Sequence, residues 1–349
     1  MSLRDGSTIF LLGAGASFDA QVPMSSTMLQ KIEDLISVDD HWKKYEKLYY
    51  YVKHTIEYGN KIANNSRDFN IELLLVVLNA LVEYRRSTLY PFILGYRQEL
   101  LEYAGTNFDT VRDLIEAIQK ELPKWVTLSS YDQANYFNKL EKFQSEYNYA
   151  IRIFTLNYDL CVERNISVGL ETGFQNDNAP WDGSRFNKSD NEDELPFYLY
   201  KLHGSIDWER KQNILKQSQQ QGITPDIIFG TDMKMQAVDP YLFYLYEFRR
   251  HAIEAKAIIV IGYSYNDGHI NDLLKQAIQL DNNKKIISVS PCKDEDKDAL
   301  SSTILKKLGL TSSNSGQVII VNHTAKDFLQ NILTVDFIEK QFADDPLPF

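Results

Sequence analysis

Cysteine is scarce in this chain, whose 349 residues include only Cys161 and Cys292. Two thiols cannot build a disulfide framework or a four-cysteine zinc site, which excludes the small disulfide-rich secreted class and favours a reducing cytoplasm. Positive charge is also in deficit, because 37 Lys and Arg face 48 Asp and Glu and leave a net charge of −11. Such a chain repels polyanions, so we expect no direct binding of nucleic acid.

Long apolar runs are missing as well. The most apolar stretch, Leu73–Val82, has about half of the roughly 20 residues that a membrane span needs, and glutamates flank it. Glycines interrupt the short apolar stretch at the N-terminus before it reaches the length of a signal peptide. We therefore expect no membrane segment, and a content of 44% hydrophobic and 24% charged residues indicates a folded protein.

An alternation of strand and helix signals predicts the fold class. Thr8–Leu12 is a continuous apolar run, typical of a strand buried on both faces, and it ends in a glycine turn. A long region of helical spacing follows up to Tyr149. Strand patterns then return at Ile151–Thr155, Phe197–Leu202, Ile227–Phe229, Ala257–Ile261, Ile286–Val289 and Val318–Val321. The pattern predicts a doubly wound, Rossmann-like α/β parallel sheet with an inserted helical module.

The insertion divides the expected domains. We expect residues 1–39 and 150–335 to form one discontinuous Rossmann-like domain, residues 40–149 the helical module, and residues 336–349 a C-terminal tail. Within the module, helices are expected over Asp68–Arg85 and Asp109–Leu122, and Pro123 is expected to end the second. Two polar stretches, 189–194 and 212–221, are expected on loops or on an exposed helix.

The segment Gly13–Ser17 stands between the first strand and the first helix. Glycine permits positive φ and close contact there, so the backbone N–H groups are placed where a phosphate can approach. Phe18 occupies the third glycine position of the dehydrogenase fingerprint, which disfavours a dehydrogenase. A tight turn without a ligand is the alternative reading.

Two more strand ends carry polar side chains. Asn157 and Asp159 follow the strand Ile151–Thr155, at an edge where open α/β sheets bind ligands, although both residue types are also common helix caps. His203 follows the strand Phe197–Leu202 and directly precedes a glycine. Its ordinary pKa near 6.5 suits a general base.

The segment after Ala257–Ile261 begins Gly262-Tyr263-Ser264 and superficially resembles a nucleophile elbow. Asn266 stands where the G-x-S-x-G motif needs its second glycine, so a serine hydrolase that uses Ser264 and His323 is a weaker hypothesis. Four strand ends with polar, glycine-associated residues together indicate one shared crevice along the sheet.

These segments, in this order, resemble the SIR2-like, or sirtuin-type, NAD-binding proteins. The resemblance lies in Gly13–Ser17, Thr155–Asp159, Leu202–Gly204 and Gly262–Ser264 and leaves the helical module outside. It implies Asn157, Asp159 and His203 as catalytic residues, His203 being the base. The residues that it implies for NAD binding are Gly13, Ala14, Gly15, Ala16, Ser17, Gly262, Ser264 and Ser290.

Departures from the family pattern indicate which branch the chain resembles. Protein deacetylases of the family carry a Pro-Asp-Phe-Arg segment after the glycine motif, whereas Ala20–Ser26 lacks that arginine. They also carry a four-cysteine zinc module, which two cysteines cannot supply. The chain is more similar to bacterial anti-phage effectors that deplete NAD.

The resemblance implies an NAD glycohydrolase that takes NAD as its substrate, uses no metal and releases nicotinamide and ADP-ribose. It also implies gating by homo-oligomerisation or by a partner such as a HerA-type ATPase or an Argonaute-like sensor. A regulatory subunit that senses NAD or ADP-ribose without turnover is the alternative.

Overall fold

A computed structural model describes residues 3–62, 69–84, 97–176, 178–187, 195–218, 223–228 and 238–342. The expectations for residues 189–194, 219–221, 229 and 344–349 lie outside these ranges. The strands within them are β1 Thr8–Leu12, β2 Ile151–Thr155, β3 Leu170–Glu171, β4 Phe197–Lys201, β5 Trp208–Lys211, β6 Ile214–Gln217, β7 Ala257–Ile261, β8 Lys285–Val289 and β9 Val318–Val321.

The α-helices in the same ranges fall into two groups along the chain. Those between β1 and β2 are α1 Ser25–Val38, α2 Asp40–Lys43, α3 Glu46–Ile62, α4 Ile71–Tyr84, α5 Gln98–Ala104, α6 Asp109–Val126 and α7 Lys139–Tyr147. Those after β6 are α8 Tyr241–Glu254, α9 Gly268–Leu280, α10 Lys297–Lys307, α11 Ala325–Asp327 and α12 Val335–Lys340.

Seven strands form one parallel sheet in the order β3-β4-β2-β1-β7-β8-β9. Ile9 on β1 lies opposite Arg152 on one side and Ile258 on the other. Every residue of β1 and of β7 is buried, as expected for parallel strands covered on both faces. The chain builds outwards from β1 first on one side and then on the other, so the prediction of a doubly wound Rossmann-like fold is confirmed.

The strands β5 and β6 form a separate antiparallel hairpin, in which Trp208 pairs with Gln217. Gln212 and Asn213 both have positive φ, 50° and 63°, as a two-residue type I′ turn requires. The expectation of a loop or an exposed helix is therefore wrong for Ile214–Gln217. This strand is mostly exposed, with only Leu215 fully buried, so it carries little apolar periodicity.

The chain divides into two compact units. One comprises Met1–Val22, Thr127–Ile228 and Lys234–Phe349 and holds the parallel sheet. The other comprises Pro23–Val126 and holds the helices α1 to α6. Both units are described over the residue ranges given above. The expected domain boundaries at residues 39 and 149 stay predictions.

The helical unit is built on the packing of α4 against α6. Leu74, Leu75 and Leu78 form the buried face of α4, which contains the apolar stretch that the sequence assigned to a buried helix. Pro123 lies inside α6, which continues to Val126, so the prediction that the helix ends there is wrong. Because Leu122 and Val126 are both buried, packing keeps this last turn helical although proline has no N–H to donate.

Candidate functional site

The loops after neighbouring strands continue the ladder of the sheet beyond its carboxyl edge. The Leu156 N–H donates to the Leu12 carbonyl at 2.9 Å, and the Leu202 N–H donates to the Thr155 carbonyl at 2.9 Å. The Gly262 N–H likewise donates to the Val289 carbonyl at 3.1 Å. Strand order reverses at β1, and open α/β sheets bind ligands at that point of this edge.

The glycine turn after β1 lies directly against the turn after β7. The Gly13 N–H donates to the Ile261 carbonyl and the Gly15 N–H to the Gly262 carbonyl, both at 2.9 Å. A Cβ on Gly13 would lie 2.7 Å from the Gly262 oxygen, and one on Gly15 would lie 2.7 Å from the Gly262 Cα. These glycines are therefore required for the close approach of two backbones, whatever the turn binds.

The other N–H groups of this turn also bond within the protein. The Ala16 N–H donates to the Gly13 carbonyl at 2.8 Å, and the Ser17 N–H donates to the Ala14 carbonyl at 3.2 Å. From the opposite side, the buried Tyr136 hydroxyl donates to the Ala16 carbonyl at 2.7 Å. The turn is thus rigid, and the NAD contacts that the resemblance implies for it stay predictions.

Ser17 and Asn157 meet at the ends of β1 and β2. The Asn157 Nδ2 donates to the Ser17 Oγ at 3.2 Å. Asn157 is 9% exposed and Ser17 is 1% exposed. The Asn157 backbone N–H donates to the Thr155 Oγ1 at 3.0 Å, which fixes the start of the loop. Asn157 does not cap a helix, so the capping alternative is wrong for this residue.

Asp159 closes a turn rather than a helix. Its Oδ1 accepts from the Cys161 N–H at 2.9 Å, and residues 161–165 form hydrogen-bonded turns. Burial, followed by the Asp159 carboxylate, raises the pKa of the Cys161 thiol well above its usual range. The thiol is therefore protonated at neutral pH. Cys161 is a structural residue beside the site and not a nucleophile.

A buried lysine supports the Asp159 loop from below. Lys201 is the last residue of β4, and its Nζ donates to the Asp159 carbonyl and to the Glu163 Oε1, the latter at 2.6 Å. Burial lowers the pKa of Lys201, but the carboxylates of Glu163 and Asp207 outweigh it and keep the pKa above its ordinary value. Lys201 is thus a cation that ties β4 to the loop after β2.

His203 is 4% exposed and faces a carboxylate that none of the sequence motifs indicates. Its Nε2 lies 3.1 Å from the Oδ2 of Asp267, which is 5% exposed. The Tyr158 ring lies 6.4 Å from the imidazole, between centroids, on the loop after β2. The loops after β2, β4 and β7 therefore meet at His203.

The remaining expected positions lie along the same edge. Gly262 has a φ of +64°, and Ser290 follows β8, with its N–H donating to the Val321 carbonyl at 3.1 Å. Ser264 is exposed, whereas His323 pairs with Asp327 on the surface. Among the described residues no hydrogen bond joins the Ser264 hydroxyl to His323, so nothing supports a serine nucleophile.

The Tyr131 hydroxyl is a further polar group that the sequence analysis missed. It is buried, and within the described ranges no hydrogen-bond partner pairs with it. Burial, with added effects of the Cys161 thiol and the Asp159 carboxylate, raises the pKa of Tyr131 to about 12. An unsatisfied buried hydroxyl close to Asp159 suits a ligand that supplies a hydrogen bond.

The site combines amide, carboxylate and imidazole groups at the point where strand order reverses. Within the described residues no group of three or more His, Cys, Asp or Glu is arranged to hold a metal ion, and no helix is long and apolar enough to cross a membrane. Groups of these kinds are able to orient a polar ligand and to transfer a proton, and the fold that holds them is an α/β protein of the doubly wound class.

One family model matches part of the sequence. Residues 151–312 match the SIR2-like domain. The matched region runs from β2 through α10 and contains Asn157, Asp159, His203 and Asp267. This part of the chain is similar to the SIR2-like domain, and the resemblance drawn from the sequence motifs is confirmed at that level. No curated protein is significantly similar to it in sequence.

Solved structures of Sir2 homologues align with most of the chain at low identity. A mutant Sir2 homologue in complex with 2′-O-acetyl ADP ribose is 12% identical, with 96% of this chain and 93% of that chain covered and a TM-score of 0.44. A Sir2 homolog–NAD complex is 13% identical, with 96% and 90% covered and a TM-score of 0.42. Sir2Tm bound to a propionylated peptide is 11% identical, with 92% and 90% covered and a TM-score of 0.38.

Proposed function

We propose that this chain is an NAD glycohydrolase that cleaves NAD with water into nicotinamide and ADP-ribose. The observation that carries the proposal is that Asn157 bonds to Ser17 after β1 and β2, while His203 after β4 lies beside the Tyr158 ring of the same β2 loop. The match to the SIR2-like domain supports NAD as the ligand, and one related structure is a Sir2 homolog–NAD complex.

The side chains divide the work of the reaction. Asp159 fixes the carboxamide of the leaving group, and Asn157 positions the ribose and the attacking water. His203 takes a proton from that water as its oxygen bonds to the ribose carbon. The electron pair of the broken glycosidic bond passes to the cationic nicotinamide nitrogen, so neutral nicotinamide leaves without an acid or a metal.

We further propose that the activity is gated, because unregulated loss of NAD would kill the cell that makes the protein. The resemblance to anti-phage effectors supports a homo-oligomer or a protein partner as the gate, a HerA-type ATPase or an Argonaute-like sensor being the examples. The helical unit Pro23–Val126 is the proposed contact surface, since the candidate catalytic residues lie in the other unit. We propose the cytoplasm as its location, which the scarcity of cysteine supports.

Chromatography of nicotinamide and ADP-ribose tests this function. The purified chain is incubated with NAD, with and without the product of its genomic neighbour, beside His203→Ala and the control His41→Ala. His41 is an exposed histidine of the helical unit. We expect release by the wild type and by the control but not by His203→Ala. A folded, active His203→Ala protein contradicts the mechanism, and saturable NAD binding without release favours the sensor.

A further inference from the structure

Asp267 and His203 meet across the sheet. His203 follows β4 and Asp267 follows β7, and these strands are separated by β2 and β1. At about 4.8 Å per strand, three steps separate the two strands by roughly 14 Å. The contact of 3.1 Å between Nε2 and Oδ2 therefore arises only because both loops reach over the carboxyl ends of β2 and β1.

The two oxygens of the Asp267 carboxylate have different partners. Oδ1 accepts from the backbone N–H groups of His269 and Ile270, at 3.0 and 3.4 Å, and so caps α9. Oδ2 faces the His203 imidazole. Capping alone needs one acceptor, which serine or asparagine also supplies. The cap therefore does not need the second oxygen, which is the one that lies 3.1 Å from the His203 Nε2.

The surroundings hold both residues in place. The Asp267 backbone N–H donates to the Tyr263 hydroxyl at 3.1 Å, and that hydroxyl lies 2.9 Å from the Asn271 Oδ1. The His203 carbonyl accepts from the Ile228 N–H at 3.0 Å. The positive end of the α9 dipole stabilises the carboxylate as an anion. An anionic acceptor at this distance selects an imidazole with its proton on Nε2.

We propose that Asp267 is the positioning residue of His203: its carboxylate accepts from the Nε2–H, orients the ring, and leaves the basic lone pair on Nδ1. This inference rests on the proposed hydrolysis of NAD. When His203 takes the proton of the attacking water, the new N–H forms on Nδ1 and the carboxylate stabilises the imidazolium. Asp267 itself keeps no proton and does not touch the substrate.

Three variants separate positioning from capping. Asp267→Asn and Asp267→Ser both retain an N-cap acceptor for α9 but remove the anionic oxygen that faces His203. Thr334→Ala removes a different cap, that of α12 on the Phe337 N–H, in the same unit. We expect kcat to fall roughly 10²-fold to 10⁴-fold in both Asp267 variants with little change in KM, and to stay unchanged in Thr334→Ala.

Nuclear magnetic resonance of ¹⁵N-histidine-labelled chain provides a readout that needs no turnover. We expect His203 to carry its proton on Nε2 in the wild type and to lose that preference in Asp267→Asn. A wild-type proton on Nδ1, or the same tautomer in both proteins, overturns the positioning role whether or not NAD is hydrolysed. An inactive wild type that shows the expected change of tautomer upholds the positioning contact and overturns only the proposed hydrolysis.

Discussion

The backbones of Gly15 and Gly262 are in direct contact, with the Gly15 N–H donating to the Gly262 carbonyl at 2.9 Å. The contact joins the turn after β1 to the turn after β7. A side chain on either residue would enter the other backbone, since a Cβ on Gly262 would lie 2.2 Å from the Ala16 nitrogen. The shape of the candidate site therefore depends on this pair before any ligand is considered.

Gly262→Ala is expected to destabilise the protein and to abolish NAD turnover. The residue has a φ of +64°, where an L side chain costs about 1–2 kcal/mol, and the backbone clash adds to that cost. Gly268→Ala is the matched control, because a Cβ there meets nothing within 4 Å. Denaturant unfolding measures both variants, and equal stability of the two would contradict the packing described here.

The buried pair of Lys201 and Glu163 predicts a large loss of stability when one partner is removed. Lys201→Met leaves the Glu163 carboxylate buried without its counter-ion, at a cost of about 3–5 kcal/mol. Lys211→Met, which removes an exposed ion pair with Glu209, is expected to cost about 0–1 kcal/mol. Urea unfolding compares them, and the double variant Lys201→Met/Glu163→Leu should recover much of the loss.

Acid is expected to destabilise the chain through His251. Burial lowers the pKa of this residue below its ordinary value of 6.5, although the neighbouring Glu247 opposes the shift. The unfolded chain takes up a proton near pH 6.5 and the folded chain takes it up only at a lower pH, so this contribution to stability is complete above pH 6.5 and falls as the pH decreases. One proton contributes at most about 1.4 kcal/mol per pH unit.

The free energy of unfolding, measured between pH 7 and pH 5, checks this expectation. The slope should be smaller in His251→Phe, whose ring retains the packing against Phe154 and Tyr200. His41→Phe, the same substitution at an exposed histidine, is measured beside it. Parallel curves for the wild type and His251→Phe would show that another group is responsible.

The sequence predicts a secondary-structure element correctly where the residues of that element alone determine its structure. Thr8–Leu12 and Ala257–Ile261 are read correctly because strands buried on both faces need continuous apolar runs. The hairpin strand Ile214–Gln217 is missed because only Leu215 is fully buried. Pro123 is misread because packing of Val126 outweighs a local helix-breaking preference.

The candidate site shows the same limit. Parallel strands bring their carboxyl ends to one edge, so the positions of Asn157 and His203 directly after strands predict that the two lie at the same edge. The contact between His203 and Asp267 is not predicted from the sequence, because Asp267 lies 64 residues further along the chain and two strands intervene in the sheet. An aspartate before a helix predicts an N-cap, and Asp267 is one. That pattern gives no indication of what its second oxygen contacts.

The release of nicotinamide from NAD by the wild type and by Asn157→Ala tests the central claim most directly. Asn157 lies against Ser17 at the reversal of strand order, so its loss should remove the group that positions ribose and water while the fold remains. With the product of the genomic neighbour present, we predict stoichiometric nicotinamide and ADP-ribose from the wild type and none from a folded Asn157→Ala protein. Equal release by both, or NAD bound by the wild type and recovered intact in every condition, would contradict the account.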